Sequence, residues 1–136
     1  MLLILLLVLV ALPATHAQDL QNANRHTTGY VKSNGVVENS SRRTINYIKN
    51  DGTIEDDSHR TIGYLKSDGT VEASNHHTIG YARGGSDRLT VENDSHRTIG
   101  YVKSDGTVED EYHHTIGHAT GVDMRKAALL YFFFKI

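Results

Sequence analysis

The stretch "HRTIGYLKSDGTVEASNHHTIGY", His59 to Tyr81, holds "TIGY" twice, seventeen residues apart. Working outward, the copies read "HTTGYVKSNGVVENS", "RTINYIKNDGTIEDDS", "RTIGYLKSDGTVEASN", "HTIGYARGGSDRLTVENDS" and "RTIGYVKSDGTVEDEY", followed by a truncated "HTIGHATG". The anchors are Tyr30, Tyr47, Tyr64, Tyr81 and Tyr101, with His118 in the sixth place. The fourth copy alone breaks the period, with three extra residues. A short fixed period over most of a chain means one supersecondary unit arrayed on itself.

Each regular copy carries a turn signal at its centre: Ser33-Asn34-Gly35, Asn50-Asp51-Gly52, Ser67-Asp68-Gly69 and Ser104-Asp105-Gly106. Asn-Gly or Asp-Gly between β-prone runs marks a hairpin, because glycine supplies the positive φ of a tight connection. A two-residue turn on Asp68-Gly69 would oppose Leu65 to Glu72, whereas a three-residue loop with Gly69 in a bulge position opposes Leu65 to Val71. The second register pairs apolar with apolar in every regular copy: Val31 with Val37, Ile48 with Ile54, Val102 with Val108. In the fourth copy "RGGSDR" widens the loop at its expected tip, where insertions are tolerated.

Nothing between Arg25 and Gly121 has helical period, and Thr, Tyr, Ile and Val suit strands. Strict alternation puts Thr61, Gly63 and Leu65 on one face and Ile62, Tyr64 and Lys66 on the other. Gly63 and its equivalents Gly29, Gly80, Gly100 and Gly117, with Asn46 as the exception, mark the close approach of another backbone or a tyrosine ring. Five complete hairpins and one leftover strand favour closure into a ring, which removes the exposed edges of an open stack.

The amino terminus, "MLLILLLVLVALPATHAQ", reads as a secretory signal peptide of residues 1–17, cleaved after Ala17. Its apolar run is shorter than the roughly 20 residues a spanning helix needs. Export to the periplasm or the extracellular space is the expectation. Without the leader the apolar share falls below the whole chain's 38%, low against the roughly 45% of ordinary domains. The chain has no cysteine and therefore no disulfide to support so thin a core. Its formal net charge of −2 offers no basic field for nucleic acid. The repeats and the tail, residues 25–136, form a single domain in this reading.

Arrays of "R-T-I-G-Y-[VIL]-K-S-D-G-T-V-E-D" with a phenylalanine-rich end resemble the 5-fold beta-flower proteins, small exported proteins of Bacteroidetes-type bacteria. The resemblance covers about residues 25 to 136. It implies an all-β, closed, five-fold pseudosymmetric ring of hairpins and implies no activity. Thr28, Asn46 and the widened fourth loop depart from the motif. The tail "AALLYFFFKI" reads as a strand or short helix docked on the flower, supplying core that the repeats lack; the rival reading is an exposed apolar patch for a membrane, a partner or self-association.

The candidate binding residues are the basic pairs ahead of each threonine, above all His59, His76, His96 and His113 with Arg60 and Arg97. A radial arrangement would gather them into circles able to hold an anion, a glycan acid or a metal at a rim or an axial pocket, with Glu38, Glu55, Glu72, Glu92 and Glu109 in a third circle. The plainer reading pairs each basic residue with an acidic neighbour, for solubility and register. Adjacent His-His on one strand point to opposite faces, poor geometry for chelation. The tyrosines read as core packing with the hydroxyl at the rim. "KSDGTVED" lacks the ligand density of a calcium loop. No nucleophile, base and orienter break the repeat, and the odd His118 reads as an adjustment of the last copy, so no catalytic residue and no cofactor is expected. The expected role is a non-catalytic binding module of the cell envelope that takes a glycan or anionic envelope component; the alternative is assembly through the apolar tail.

Overall fold

The computed structural model describes residues 18–135, so the leader and its cleavage point lie outside the described residues. Twelve antiparallel strands close into a barrel. They are β1 (Gln18–Asn22), β2 (Thr27–Val31), β3 (Val36–Asn39), β4 (Thr44–Ile48), β5 (Thr53–Asp56), β6 (Thr61–Leu65), β7 (Thr70–Ala73), β8 (Thr78–Gly84), β9 (Arg88–Asn93), β10 (Thr98–Lys103), β11 (Thr107–Asp110) and β12 (Thr115–His118). A short helix α1 (Met124–Ala128) runs directly into a π-helical turn, Leu129–Phe133.

The hairpins take the bulged register. Val31 opposes Val37, Ile48 opposes Ile54, Leu65 opposes Val71 and Val102 opposes Val108. Gly69 has φ +91°, and its carbonyl accepts from Ala82 N at 2.8 Å, so each tip is tied to the next hairpin. The insertion in the fourth copy lengthens its two strands, which stay paired out to Gly84 opposite Leu89.

The ring expected from the sequence had five members, and the structure corrects that count. The leftover strand β12 pairs with β1, Gln21 opposite His118 and Asn22 opposite Gly117, making a sixth two-stranded unit whose strands come from opposite ends of the repeat array. β1 lies ahead of residue 25, where the sequence placed the domain's start. Its "LQN" occupies the place of "VEN" in Val37-Glu38-Asn39: Asn22 Oδ1 accepts the amides of Asn24 and His26 as Asn39 Oδ1 accepts those of Ser41 and Arg43.

Strict alternation also fails at one place in each repeat. Between neighbouring hairpins the register shifts, as where Ile54 faces Gly63 but Glu55 faces Thr61. The extra residue, Ile62, is a bulge, and it packs against the same core as the inward valines. The core comprises Leu20, Val31, Val37, Ile48, Ile54, Val71, Val91, Val102 and Val108 from the wall, with Ala127 to Leu130 from the tail.

The repeat glycines do mark the approach of rings, but the rings come from the tail rather than from the anchor tyrosines. A methyl group built on Gly117 would overlap Tyr131, one on Gly100 would overlap Phe132, one on Gly80 Phe133 and one on Gly63 Phe134. Four consecutive residues thus reach β12, β10, β8 and β6 in turn, which requires the tail to lie on the barrel axis. The Tyr131 hydroxyl, which has one proton to give, donates to Gln21 O (2.7 Å) with His118 O also within reach (3.1 Å), and accepts from Gln21 N (3.1 Å), bridging the two strands of the sixth unit. We expect Gly100→Ala to destabilise the protein by about 1–3 kcal/mol through overpacking, read by urea unfolding. Phe132→Ala should relieve only part of that penalty, because the added methyl also meets the Glu109 carbonyl. A loss below about 0.5 kcal/mol would mean that Phe132 does not sit on Gly100.

Candidate functional site

Five of the six turns between hairpins are capped by an Asn or Asp at the end of a strand, Asn22, Asn39, Asp56, Asn93 and Asp110; in the other, Ala73 stands there and the backbone bonds of His76 N to Ala73 O and Ala73 N to His77 O hold the turn. In the third turn Asp56 Oδ1 accepts the amides of Ser58 (2.9 Å) and Arg60 (3.0 Å), while His59 N donates to Asp56 O. Asp56 is held below the usual carboxylate range chiefly by the Arg60 amide. This geometry forces the residue before Arg60 into the left-handed region. The six residues so placed are Arg25, Arg42, His59, His76, His96 and His113, with φ between 63° and 67°. Left-handed backbone is unfavourable for a residue with a side chain unless the surroundings fix it.

The fixing contacts lie on the outer wall. His59 stacks on Tyr47 with ring centroids 4.3 Å apart, and the pairs His76–Tyr64, His96–Tyr81 and His113–Tyr101 repeat the arrangement at 4.4, 4.3 and 4.5 Å. The imidazole Nδ1 also meets a glutamate Oε1: His59–Glu55 at 3.2 Å, His76–Glu72 at 3.1 Å, His96–Glu92 at 3.5 Å and His113–Glu109 at 3.2 Å. Lysine takes the other oxygen in three of these, Lys49 on Glu55, Lys66 on Glu72 and Lys103 on Glu109. Glu55 sits below the usual glutamate range because His59 hydrogen-bonds it. Burial raises Glu109, but His113 and Lys103 together outweigh burial and the net shift is downward.

The anchor tyrosines are therefore half-buried on the outer wall, not in the core as the sequence suggested. The signal was present: Tyr47–His59, Tyr64–His76 and Tyr101–His113 share one spacing, and the strand register places tyrosine beside glutamate, as with Tyr47 opposite Glu55. The structure brings His59, His76, His96 and His113 to equivalent turns on one rim. Arg60 and Arg97 are their exposed neighbours, Arg60 Nε lying 3.0 Å from Asp56 Oδ2. None of the six faces the axis, which the tail and the apolar wall occupy. Among the described residues no cluster of three or more metal-ligating side chains occurs.

The opposite mouth carries a cleft of about 290 Å³ between the tips at Lys49–Gly52 and Lys66–Ser67 and the start of α1. Its cations are largely engaged: Lys49 and Lys66 with wall glutamates, and Arg125 Nη1 with Ser67 O at 3.0 Å. The tail's rings are spent on the glycines. Among the described residues the exposed large apolar side chain is Tyr112, at 72%. Tyr131, Phe132, Phe133 and Phe134 pack against the core and remain partly exposed.

Where arginine replaces histidine the cell is less complete. Arg42 lies 3.8 Å over the Tyr30 ring but 3.9 Å from Glu38 Oε1, a buried oxygen left without a hydrogen bond. We expect Arg42→His to stabilise the protein by about 1 kcal/mol by supplying that bond, measured as a shift in urea midpoint; unchanged or lowered stability would contradict the role given to Nδ1. The lowered carboxylates set the acid limit. A group whose folded pKa is depressed stabilises above its unfolded value and loses that contribution as pH falls through the folded one. Stability should accordingly hold above the unfolded glutamate value of about 4.3 and fall as the pH is taken below it; a midpoint that does not move there would contradict it.

No curated protein and no solved structure matches. The profile of the 5-fold beta-flower proteins matches residues 17–135. Over the whole barrel and its tail, the chain belongs to the 5-fold beta-flower protein family.

Proposed function

We propose that the protein is an exported, non-catalytic binding module of the cell envelope that engages an anionic partner, such as an acidic glycan, through the rim of turns between its hairpins. The observation that carries this reading is the occupancy of the left-handed position. Glycine or asparagine would adopt it with least strain, yet all six turns hold His or Arg there. A second basic residue follows each one: His26, Arg43, Arg60, His77, Arg97 and His114. All twelve are exposed. Strain kept at the same place in every unit points to use of the side chain, and six equivalent weak contacts add up when the partner is itself repetitive.

Membrane insertion suits the wall poorly. Its strands are four to seven residues long, where a spanning strand needs about 9–11, and Tyr, Glu, Lys and His cover the outside while the inside is apolar. Catalysis has no support in the cells, which repeat one ion-paired arrangement from unit to unit.

Export predicts that the mature protein begins at Gln18, the first residue of β1. Amino-terminal sequencing of secreted material should read Gln-Asp-Leu-Gln, and retention of the leader would contradict it. For binding, dextran sulfate at pH 5.5 and low salt should be held by the purified protein and neutral dextran should not. Arg60→Glu with Arg97→Glu should weaken binding about tenfold while the unfolding midpoint stays within error. Equal binding of both polymers, or no loss in the double variant, would remove the rim from the account.

A further inference from the structure

The four histidine cells differ from the two arginine cells in what they present to a ligand. In each, Nδ1 faces a glutamate, and a carboxylate only accepts, so the proton of the neutral ring belongs on Nδ1. The ring is held flat against tyrosine. No hydrogen bond within the described residues engages Nε2 of His59, His76, His96 or His113. When the ring is neutral, Nε2 therefore shows a bare lone pair to solvent, which repels an anion. When the ring is protonated, Nε2–H becomes a charged donor. Glutamate fixes the tautomer and leaves a single atom to switch.

The spacing of the cells restricts the ligand. Neighbouring repeats are two strands apart, about 10 Å at the usual strand separation. That is too far for one small anion to touch two imidazoles, and too far for two to share a zinc ion at bonds of about 2 Å. Each cell can hold one acidic group, and joint engagement needs a chain carrying such groups at intervals.

Resting on the rim reading above, we propose that the ligand is a polyanion held one acidic group per repeat by the outward Nε2–H of His59, His76, His96 and His113, and that binding is switched on by protonation of these rings. The charged and titratable groups facing each ring are consistent with a switch confined to Nε2. His59 meets Glu55 and Tyr47, with Lys49 on the far glutamate oxygen; His76 meets Glu72 and Tyr64, with Lys66 likewise; His113 meets Glu109 and Tyr101, with Lys103 on Glu109 and Arg88 over the tyrosine. His96 meets Glu92 and Tyr81, and Arg83 covers that tyrosine. Arg25 and Arg42 keep their charge at any relevant pH and supply a residual affinity.

Dextran sulfate, whose charge does not vary with pH, separates the switch from the ligand's own titration. At constant ionic strength the protein should bind it at least tenfold more tightly at pH 5.5 than at pH 8.0, the span across which imidazole changes charge. The monomer glucose 6-sulfate should bind weakly at both. Replacing His59, His76, His96 and His113 together by Asn, which tolerates the left-handed backbone, should cut the tenfold pH response to about threefold or less, the remainder belonging to His26, His77 and His114 of the same rim; unfolding midpoints verify that the variant is folded. As a readout independent of binding, ¹⁵N spectra of the wild-type imidazoles at pH 8.0 should show the proton on Nδ1. Tight binding that is equal at the two pH values, a fourfold variant that keeps the tenfold response, a monomer that binds as well as the polymer, or protons on Nε2 would overturn the proposal while leaving the rim reading standing. Failure to bind dextran sulfate at either pH would overturn both.

Discussion

Twelve short strands closed into a circle enclose more space than their inward valines and isoleucines can fill, and the repeat makes this worse by placing glycine at the centre of its first strand. The tail resolves the deficit. Tyr131, Phe132, Phe133 and Phe134 use the space left by Gly117, Gly100, Gly80 and Gly63, and Leu129 and Leu130 complete the axis. Close packing of this kind is intolerant of even one added methyl. It explains how a chain without disulfides and with few apolar residues per repeat obtains a core: the repeats supply the wall and the last turn of chain supplies the filling.

Closure depends on the same element. Five hairpins are joined by turns, but β1 and β12 meet only through backbone pairing at Gln21–His118 and Asn22–Gly117. Their cell has no tyrosine and no glutamate, holding His118 and Gln21 instead. Tyr131 compensates by bonding both strands from the inside. Filling the axis and sealing the ring are thus one event, and the outer cells that follow from ring geometry depend on it.

Much of this was legible in the residues. The apolar pairing across each Asp-Gly tip selected the correct register, and the insertion in the fourth copy marked the tip. Glycine at one strand position signalled the approach of a ring, although not whose. What the sequence hid has physical causes. β1 does not read as a repeat because only Leu20, which enters the core, and Asn22, which caps the turn, are held to the motif, leaving "QDLQN" with little of its lettering. Alternation assigns Ile62 to the wrong face because a bulge adds a residue without any composition of its own. Tyrosine at a fixed strand position reads as core, whereas the rings that fill the space beside the glycines come from the far end of the chain. The basic pairs stand out in the residues, but the backbone strain that sets the first of each pair apart does not, since it depends on how the turn closes through backbone bonds such as His59 N to Asp56 O and His76 N to Ala73 O.

The central claim, that the tail lies on the axis against the repeat glycines, is tested most directly by proton NMR of the folded protein. Nuclear Overhauser contacts should link the rings of Tyr131, Phe132, Phe133 and Phe134 to the Hα protons of Gly117, Gly100, Gly80 and Gly63 in that order, with those protons displaced by the ring currents. Glycine Hα resonances that show no contact to any tail ring, or tail rings in contact with solvent alone, would contradict the account.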